Sequence, residues 1–294
     1  MDLKDYLEEK KRLIERRLTT LLPKEEEYPP VIHEAMRYTL FLPGKRLRPI
    51  LSLAVAEMLG GELERVIPVA CAIEMIHTCS LILDDLPSMD DARIRRGKPT
   101  AHLIFGEDIA ILAAIALLNQ AYYIIFRMKE LAKVRGKLII ELGKRLSQAI
   151  STKGIIGGQV VDLKVNEEEL DLTTLEYIHS HKTGSLFIFA AEAGAVLSGA
   201  NAAELSACSA YAKNLGLAFQ ITDDILDVVG EEGKVGKDLR KDKGKLTFVS
   251  YCGLSEARKI VHELIEAAVT ALSFFGKKAE VLLDLARYIE SRQR

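Results

Sequence analysis

Two clusters of aspartate residues stand out as groups that could do chemistry. The first contains Asp84-Asp85 and Asp90, and the second contains Asp223-Asp224. Each follows a long apolar stretch with helical periodicity, so its carboxylates face the negative end of a helix dipole and cost about 0.3–1 kcal/mol each. One such pair alone would indicate a solvated acidic turn. Two pairs in one chain predict a bound cation, and an all-carboxylate ligand set favours Mg²⁺ over zinc.

Basic residues near both acidic clusters could bind phosphate groups. Arg95-Arg96 follows the first cluster, and Lys237 follows the second. The remaining candidates lie in two other segments: Lys45 and Arg48 after a Pro-Gly break, and Lys182 within a helical pattern. Each would usually be a solvated surface charge if it stood alone. Together with the carboxylates, they predict diphosphate groups held between Mg²⁺ and Arg or Lys side chains.

The elements that must position these residues are predicted to be helices. Apolar residues recur at helical spacing along nearly the whole chain, with long stretches over residues 66–85, 109–133, 175–197 and 202–229. No alternating run of strand length stands out, and the breaks between helices are too short to be interdomain linkers. We therefore expect an all-α chain that forms a single domain over residues 1–294.

Polar residues line the two helices that lead to the acidic clusters. Glu74, His77 and Asp84 fall on one stripe of the first helix, and Gln220 shares a face with Asp223 on the second. A lone histidine on an apolar helix is more often a satisfied core residue than a ligand. Because His77 shares its stripe with Asp84, we expect it to contact a bound substrate rather than to be only a core residue.

Composition limits the other function classes. Acidic and basic residues nearly cancel, at 42 against 40, so the chain carries no net field that would attract nucleic acid or an anionic membrane. No uninterrupted apolar run reaches the roughly 18 residues of a membrane span, and the charged N-terminus does not resemble a signal peptide. Four scattered cysteines fit reduced thiols in the cytoplasm, where we expect the protein.

The motifs resemble those of a known family. Residues 84–91 with 95–100 resemble the first aspartate-rich motif of the trans-prenyl diphosphate synthases, and residues 216–227 resemble the second. The family's remaining blocks are matched in the same order by residues 44–49, 157–159, 182–184 and 236–238. The resemblance covers nearly the whole chain and is closest to bacterial carotenoid-pathway geranylgeranyl diphosphate synthases. It implies a bundle of mostly antiparallel helices around a deep central cleft, usually in a homodimer.

The resemblance also implies a role for each matching residue. Three Mg²⁺ ions would be bound by Asp84, Asp90 and Asp223, with Asp85 and Asp227 supporting them. The allylic diphosphate would be bound by Arg95, Lys182 and Lys237. The diphosphate of isopentenyl diphosphate would be bound by Lys45, Arg48, His77 and Arg96. The residues nearest the reacting carbons would be Lys182, Thr183 and Gln220, of which Thr183 and Gln220 would present oxygen atoms to the allylic cation.

The implied reaction is the head-to-tail condensation of isopentenyl diphosphate with dimethylallyl, geranyl or farnesyl diphosphate. Positive charge around the leaving diphosphate would favour ionisation of the allylic C–O bond. The apolar helices would keep water from the resulting carbocation. No side chain is suited to be a dedicated base, so the released diphosphate is the expected proton acceptor.

Two small residues predict the length of the product. Cys79 and Ser80 lie about one helical turn, or ~5.4 Å, before Asp84, which is close to the length of one isoprene unit. Relatives that stop at fifteen carbons often carry an aromatic residue at the position of Cys79. We therefore expect geranylgeranyl diphosphate (C20), with farnesyl diphosphate (C15) as the alternative and longer chains less favoured. The floor beneath the tail would be formed by Met75, Ile76, Tyr122, Tyr123 or Phe126.

Differences from the family pattern bear on substrate preference. Leu83 stands where many relatives have histidine, and Ala114-Ile115 stands where many have Gly-Asp. Two other functions share some of these features. A terpene cyclase would normally lack the second Asp-Asp motif and the Lys45/Arg48 site, and a non-catalytic partner subunit would usually lose acidic clusters. The chain keeps all of these.

Overall fold

The computed structural model describes residues 2–165, 171–229 and 247–292. Within these residues the chain is almost entirely helical, which confirms the predicted all-α class. The strands found in the described part are two short ones, β1 (Ile94–Arg95) and β2 (Lys98–Pro99). They pair antiparallel, with Ile94 opposite Pro99, and form a small hairpin directly after the first acidic cluster.

The helices are numbered in chain order. The first eight are α1 (Leu3–Leu21), α2 (Pro30–Leu40), α3 (Leu47–Met58), α4 (Leu63–Asp84), α5 (Ala101–Phe105), α6 (Glu107–Phe126), α7 (Met128–Ala132) and α8 (Gly136–Ile150). The others are α9 (Ile155–Lys164), α10 (Leu172–Ile178), a π-helix (His179–Gly184), α11 (Ser185–Leu197), α12 (Ala202–Val229), α13 (Phe248–Cys252), α14 (Leu254–Ala271), a 3₁₀ segment (Ser273–Ala279) and α15 (Glu280–Glu290).

The described residues group into two compact units. The first contains Met1–Leu53 and Glu62–Gly143, and the second contains Ala54–Gly61 and Lys144–Arg294. The expectation of a single domain stays a prediction. In the first unit, α4 packs against α6 and α1. Its middle, including Ile73, is fully buried, so this helix is the core of the unit and carries the first acidic cluster at its end.

In the second unit, α12 packs against α11, α14 and the π-helix. Tyr211 of α12 is fully buried, and its hydroxyl donates a hydrogen bond to the Leu282 carbonyl at 2.6 Å. Burial of the phenol raises the pKa of Tyr211, so it stays a donor. A Cβ atom at Gly216 would lie 3.1 Å from the Gly184 Cα, so glycine allows α12 to approach the π-helix closely.

In the part of the chain that the structure describes, two helices are long and apolar enough, by length and composition alone, to cross a membrane: α4 and α6. The apolar part of α4 is 78% buried inside the protein, which is typical of a core helix. The apolar part of α6 is 39% buried, and Ile111, Leu112 and Ile115 on it are exposed. The structure therefore does not confirm the absence of a membrane span, although burial accounts for the hydropathy of α4.

All four cysteines lie in the described residues and are free thiols, as the sequence predicted. Cys71, Cys79 and Cys208 are buried, and Cys252 is partly exposed. Burial raises the pKa of Cys79 and of Cys208 to about 12. These thiols stay protonated and behave as small packing residues.

Candidate active site

The first acidic cluster is folded back on the end of α4 by backbone hydrogen bonds. The Asp90 N–H donates to the Asp84 carbonyl at 2.9 Å, and the Ala92 N–H donates to the Asp85 carbonyl at 3.1 Å. Asp91 has a φ of 47°, which turns the chain at this point. The turn places the backbone of Asp90 beside that of Asp84, so the two predicted metal ligands of this cluster come from one local structure.

Asp85 is used differently from its neighbour Asp84. Its side chain is buried and holds the guanidinium of Arg95 in a fork, with Nε to Oδ1 at 3.0 Å, Nε to Oδ2 at 3.2 Å and Nη2 to Oδ1 at 2.5 Å. Burial alone would lower the pKa of Arg95. The hydrogen bonds and charge of Asp85, together with the charge of Asp84, raise it by more, so the pKa of Arg95 lies above its ordinary value. Asp85 therefore positions Arg95 beside the acidic cluster, a role that the sequence did not reveal.

Arg46 is the buried member of the Lys45-Arg46-Leu47-Arg48 run. Its side chain is fully buried and contacts Glu74 at 2.6 Å and Glu15 at 3.2 Å. It also donates to the carbonyls of Leu40 and Leu42, at 2.7 Å and 3.1 Å. Glu74, which the sequence placed on a stripe with His77, is therefore an internal partner of Arg46. With Arg46 turned inward, Lys45 on its N-terminal side is exposed.

Arg48, His77 and Arg96, three of the residues that the resemblance assigns to isopentenyl diphosphate, lie together in the first unit. His77 Nε2 lies 3.5 Å from Arg48 Nη1 and 3.5 Å from Arg96 Nη2. Burial, followed by the charges of Arg48 and Arg96, holds the pKa of His77 well below its ordinary value. In a neutral imidazole the single lone pair of Nε2 faces both guanidinium groups as a shared acceptor, and this cationic cluster suits a diphosphate.

Gly44 and the backbone of Arg96 explain why this cluster can form. A Cβ atom at Gly44 would lie 2.7 Å from Arg96 Nη1, so a side chain there would displace the guanidinium. Arg96 has a φ of 53°, and this left-handed turn sends its side chain away from that of Arg95. The two consecutive arginines consequently serve different partners, Asp85 and His77.

Lys182 lies on the π-helix of the second unit. Its Nζ contacts Asp162 Oδ2 of α9 at 2.8 Å. A Cβ atom at Gly158 would lie only 2.3 Å from the backbone nitrogen of Lys182, so the glycines of residues 157–159 let α9 approach the π-helix. Sequence reasoning did not identify Asp162. The sequence feature that could have identified Asp162 is its position one helical turn after Gln159 on the same helix.

The structure brings Thr183 and Gln220 together in the second unit. The Thr183 hydroxyl donates to Gln220 Oε1 at 3.0 Å, and Gln220 Nε2 donates to Asp224 Oδ1 at 3.3 Å. Asp224 is buried and also contacts His179 Nε2 at 3.3 Å. His179 was not among the predicted site residues. Its position four residues before Thr183, within the helical break, was the available signal.

The first aspartate of the second cluster has a cationic partner from the chain's end. Asp223 Oδ1 lies 3.0 Å from Arg292 Nη2, and the Arg292 guanidinium also lies 4.7 Å from the centre of the Phe219 ring. The Arg292 side chain is buried. Asp227 is partly buried on the same helix. Lys237, with its neighbours Gly236 and Asp238, lies outside the described residues, so the structure does not test its predicted role.

The donor set fits Mg²⁺. Asp84 and Asp90 offer carboxylate oxygens in the first unit, and Asp223 in the second already attracts a guanidinium where a cation is expected. Among residues 2–165, 171–229 and 247–292, no group of three or more His, Cys, Asp or Glu side chains is arranged so that it could hold a metal ion by itself. Mg²⁺ prefers oxygen ligands in general and usually completes its shell with water and substrate phosphate.

Comparison with known proteins identifies the family. A family model described as Polyprenyl synthetase matches residues 29–274. A geranylgeranyl diphosphate synthase of Cyanophora paradoxa is 43% identical over 99% of this chain and 97% of its own length. A dimethylallyltranstransferase of Fischerella ambigua is 44% identical over 99% of this chain and 84% of its own. The apo crystal structure of an FPP/GFPP synthase from Zymomonas mobilis aligns with a TM-score of 0.88 and 37% identity, covering 98% of this chain and 99% of that one. The chain therefore belongs to the polyprenyl synthetase family.

Proposed function

We propose that this protein condenses isopentenyl diphosphate head-to-tail with allylic diphosphates, in the presence of Mg²⁺, to give geranylgeranyl diphosphate. The observation that carries the proposal is that the side chains of the consecutive residues Arg95 and Arg96 contact different partners. Arg95 is held against the first acidic cluster by Asp85, whereas Arg96 joins Arg48 at His77. Two separate phosphate-binding groups favour an enzyme with two diphosphate substrates over a terpene cyclase, which needs one.

Each side chain has a defined task in this reaction. Arg48, Arg96 and the neutral imidazole of His77 bind the diphosphate of isopentenyl diphosphate, together with the exposed Lys45. Arg95 and Lys182 bind the allylic diphosphate, and we assign Lys237 to the same group. Asp84, Asp90 and Asp223 hold Mg²⁺, which we expect as three ions. When bound, Mg²⁺ supplies positive charge beside the leaving diphosphate.

Thr183 and Gln220 act at the reacting carbons. Their oxygen atoms stabilise the allylic cation after the C–O bond breaks, without offering an acidic proton to it. The double bond of isopentenyl diphosphate then attacks this cation, and a proton is lost to the released diphosphate. The buried side chains of α4 exclude water, which would otherwise capture the cation.

The product length depends on the small residues of α4. Cys79 is buried, and the Ser80 hydroxyl donates to the His77 carbonyl at 2.8 Å, so neither adds bulk near Asp84. Met75 and Ile76, one turn earlier, are buried. We expect Cys79→Phe to shorten the main product from C20 to C15, because the ring fills the volume of the last isoprene unit. Mass spectrometry of the products tests this, and a variant that still makes mostly C20 would place the floor elsewhere.

The proposed activity is tested with the purified chain, isopentenyl diphosphate, dimethylallyl diphosphate and Mg²⁺. We expect geranylgeranyl diphosphate to accumulate, and its formation to stop when a chelator removes the metal. A hydrocarbon product would favour a terpene cyclase instead. The absence of any carbon–carbon bond formation, unless a second protein is added, would favour a partner subunit.

We further propose a soluble cytoplasmic homodimer that uses the exposed apolar face of α6. Leu112 is 52% exposed and Ile115 is 55% exposed, although both are large apolar residues on a long helix. A second copy of the chain would cover them and so remove this apolar surface from water. Light scattering after gel filtration tests this, with a mass near 65 kDa for two chains of 32.6 kDa and near 32.6 kDa for a monomer.

A further inference from the structure

Asp224 is the centre of a hydrogen-bond network that lies behind Thr183 and Gln220. Its buried carboxylate accepts from Gln220 Nε2 at 3.3 Å and from the backbone N–H of Phe248 at 3.2 Å. His179 Nε2 lies 3.3 Å from Oδ2, the same oxygen that Phe248 contacts. The carboxylate side chain is only 7% exposed, so these protein groups replace water as its partners.

The carboxylate of Asp224 fixes the direction of the hydrogen bonds in this network. A carboxylate can only accept hydrogen bonds, so Gln220 must turn its NH₂ group toward Asp224. Gln220 Oε1 then faces Thr183, whose hydroxyl donates to it at 3.0 Å. Because a hydroxyl has one proton, the Thr183 oxygen offers only lone pairs in every other direction.

His179 packs beside the other oxygen of Asp224, where its Nε2 lies 3.3 Å from Oδ2 without forming a hydrogen bond to it. Its ring stacks on Phe248, with centroids 5.4 Å apart and planes at 24°, and its side chain is 12% exposed. Phe248 is fully buried, so the stack fixes the imidazole in place. His179 and Thr183 lie on the same π-helix, a rare conformation that is frequent at functional sites.

We infer that Asp224, with His179 packed beside it, is a positioning residue that sets the polarity of Thr183 and Gln220, so that only oxygen lone pairs meet the allylic cation. The inference rests on the proposed function, which places Thr183 and Gln220 at the reacting carbons. If the polarity were reversed, an O–H or N–H would point toward developing positive charge and destabilise it. The residues therefore act on the ionisation step rather than on substrate binding.

The first test reverses the network with Asp224→Asn. An asparagine can keep its oxygen toward the Phe248 N–H only by turning its NH₂ group toward Gln220, which must then flip and offer its own NH₂ group to Thr183. We expect the single-turnover rate of carbon–carbon bond formation to fall at least about tenfold, with the KM for each substrate changed by less than about threefold. An unchanged rate would overturn the inference.

A double variant should restore the original polarity. In Asp224→Asn with Gln220→Glu, the asparagine NH₂ donates to the new carboxylate, which again accepts from the Thr183 hydroxyl. The total charge of the pair also returns to that of the wild type. We expect this variant to be faster than Asp224→Asn by several-fold, whereas a merely structural role for Asp224 predicts that the second substitution adds to the damage. A double variant no faster than the single one would overturn the inference.

A matched pair at His179 keeps the inference testable if Asp224→Asn does not fold. His179→Phe keeps a ring against Phe248 but removes the polar nitrogen that lies beside Asp224 Oδ2, and His179→Gln keeps a polar group without the ring. We expect the Gln variant to retain more of the single-turnover rate, and equal rates or the reverse order would overturn the role of His179. An inactive wild-type protein would overturn the proposed function and this inference together. An active wild type with unaffected variants would overturn this inference alone.

Discussion

The two Asp-Asp pairs of the molecule divide their work in the same way but with different partners. In the first unit, Asp84 is partly exposed and Asp85 is buried against Arg95. In the second unit, Asp223 is partly exposed and Asp224 is buried against Gln220 and the Phe248 N–H. One aspartate of each pair therefore stays partly exposed, and the other is buried and anchors a neighbouring side chain. We assign the partly exposed aspartate of each pair to Mg²⁺ and call the buried one the anchor.

The anchors differ in what they position. Asp85 holds a charged guanidinium that we assign to the allylic diphosphate, whereas Asp224 orients neutral amide and hydroxyl groups that we assign to the cation. Loss of Asp85 would therefore weaken binding of the allylic diphosphate by Arg95. Loss of Asp224 would instead reorient the amide of Gln220 and the hydroxyl of Thr183.

The largest expected effect comes from the two partly exposed aspartates, Asp84 and Asp223. Asp84→Ala and Asp223→Asn each remove a carboxylate that we assign to Mg²⁺, so turnover should fall at least about 10³-fold. Asparagine at position 223 keeps an acceptor for Arg292. Steady-state kinetics measure the loss, and thermal unfolding serves as the control, since both variants should fold. Near-normal turnover in either variant would remove that residue from the metal site.

The two groups of phosphate-binding residues can be separated in the same way. Arg48→Ala should raise the KM for isopentenyl diphosphate about tenfold, because Arg48 belongs to the cluster around His77. Lys182→Ala should act mainly on the KM for the allylic substrate. Each variant is the control for the other in assays that vary one substrate at a time. Equal effects of both variants on both substrates would mean that the two groups are not distinct.

A smaller effect should distinguish the anchor Asp85 from the ligand Asp84. Asp85→Ala leaves the partly buried Arg95 without its fork, so the free energy of unfolding should fall by about 2 kcal/mol. Asp84→Ala should change it by less than about 0.5 kcal/mol, since this carboxylate opposes its helix dipole. Urea denaturation of the two variants makes the comparison, and equal losses would show that Asp84 is also an anchor.

The smallest effect is the pH dependence that His77 confers. Its pKa is lowered in the folded protein by burial and by Arg48 and Arg96, while in the unfolded chain it is near 6.5. Below about pH 6.5 the unfolded state therefore binds a proton that the folded state does not, and stability falls as pH falls. Between pH 7.5 and 5.5, His77 should lower the free energy of unfolding by about 1 kcal/mol. His77→Gln should lose correspondingly less stability over that range, and an identical pH profile would contradict the lowered pKa.

Much of the fold and part of the site could be predicted from the sequence. The helix predicted over residues 202–229 has those bounds, and the one predicted over residues 66–85 begins three residues earlier, at Leu63. The stretch over residues 175–197 instead contains the π-helix, because hydrophobic periodicity does not show a widened turn. The stretch over residues 109–133 is divided between α6 and α7.

The site residues that were missed depend on tertiary contacts. Arg46 and Arg48 look alike in sequence, and only the left-handed backbone at Arg46 turns one of them inward. Arg292 meets Asp223 from the far end of the chain, so no local pattern could reveal it. Asp85 and Asp224 could not be told from Asp84 and Asp223, because neighbouring helical residues differ in direction and the sequence does not say which one faces the core.

The most direct test of the proposed function is a single condensation with defined substrates. The full chain is incubated with farnesyl diphosphate, isopentenyl diphosphate and Mg²⁺, and the products are identified by mass spectrometry while released diphosphate is counted. We predict one geranylgeranyl diphosphate and one inorganic diphosphate for each farnesyl diphosphate consumed. Diphosphate release that does not require isopentenyl diphosphate, or a product without the additional five carbons, would contradict the proposed prenyl transfer.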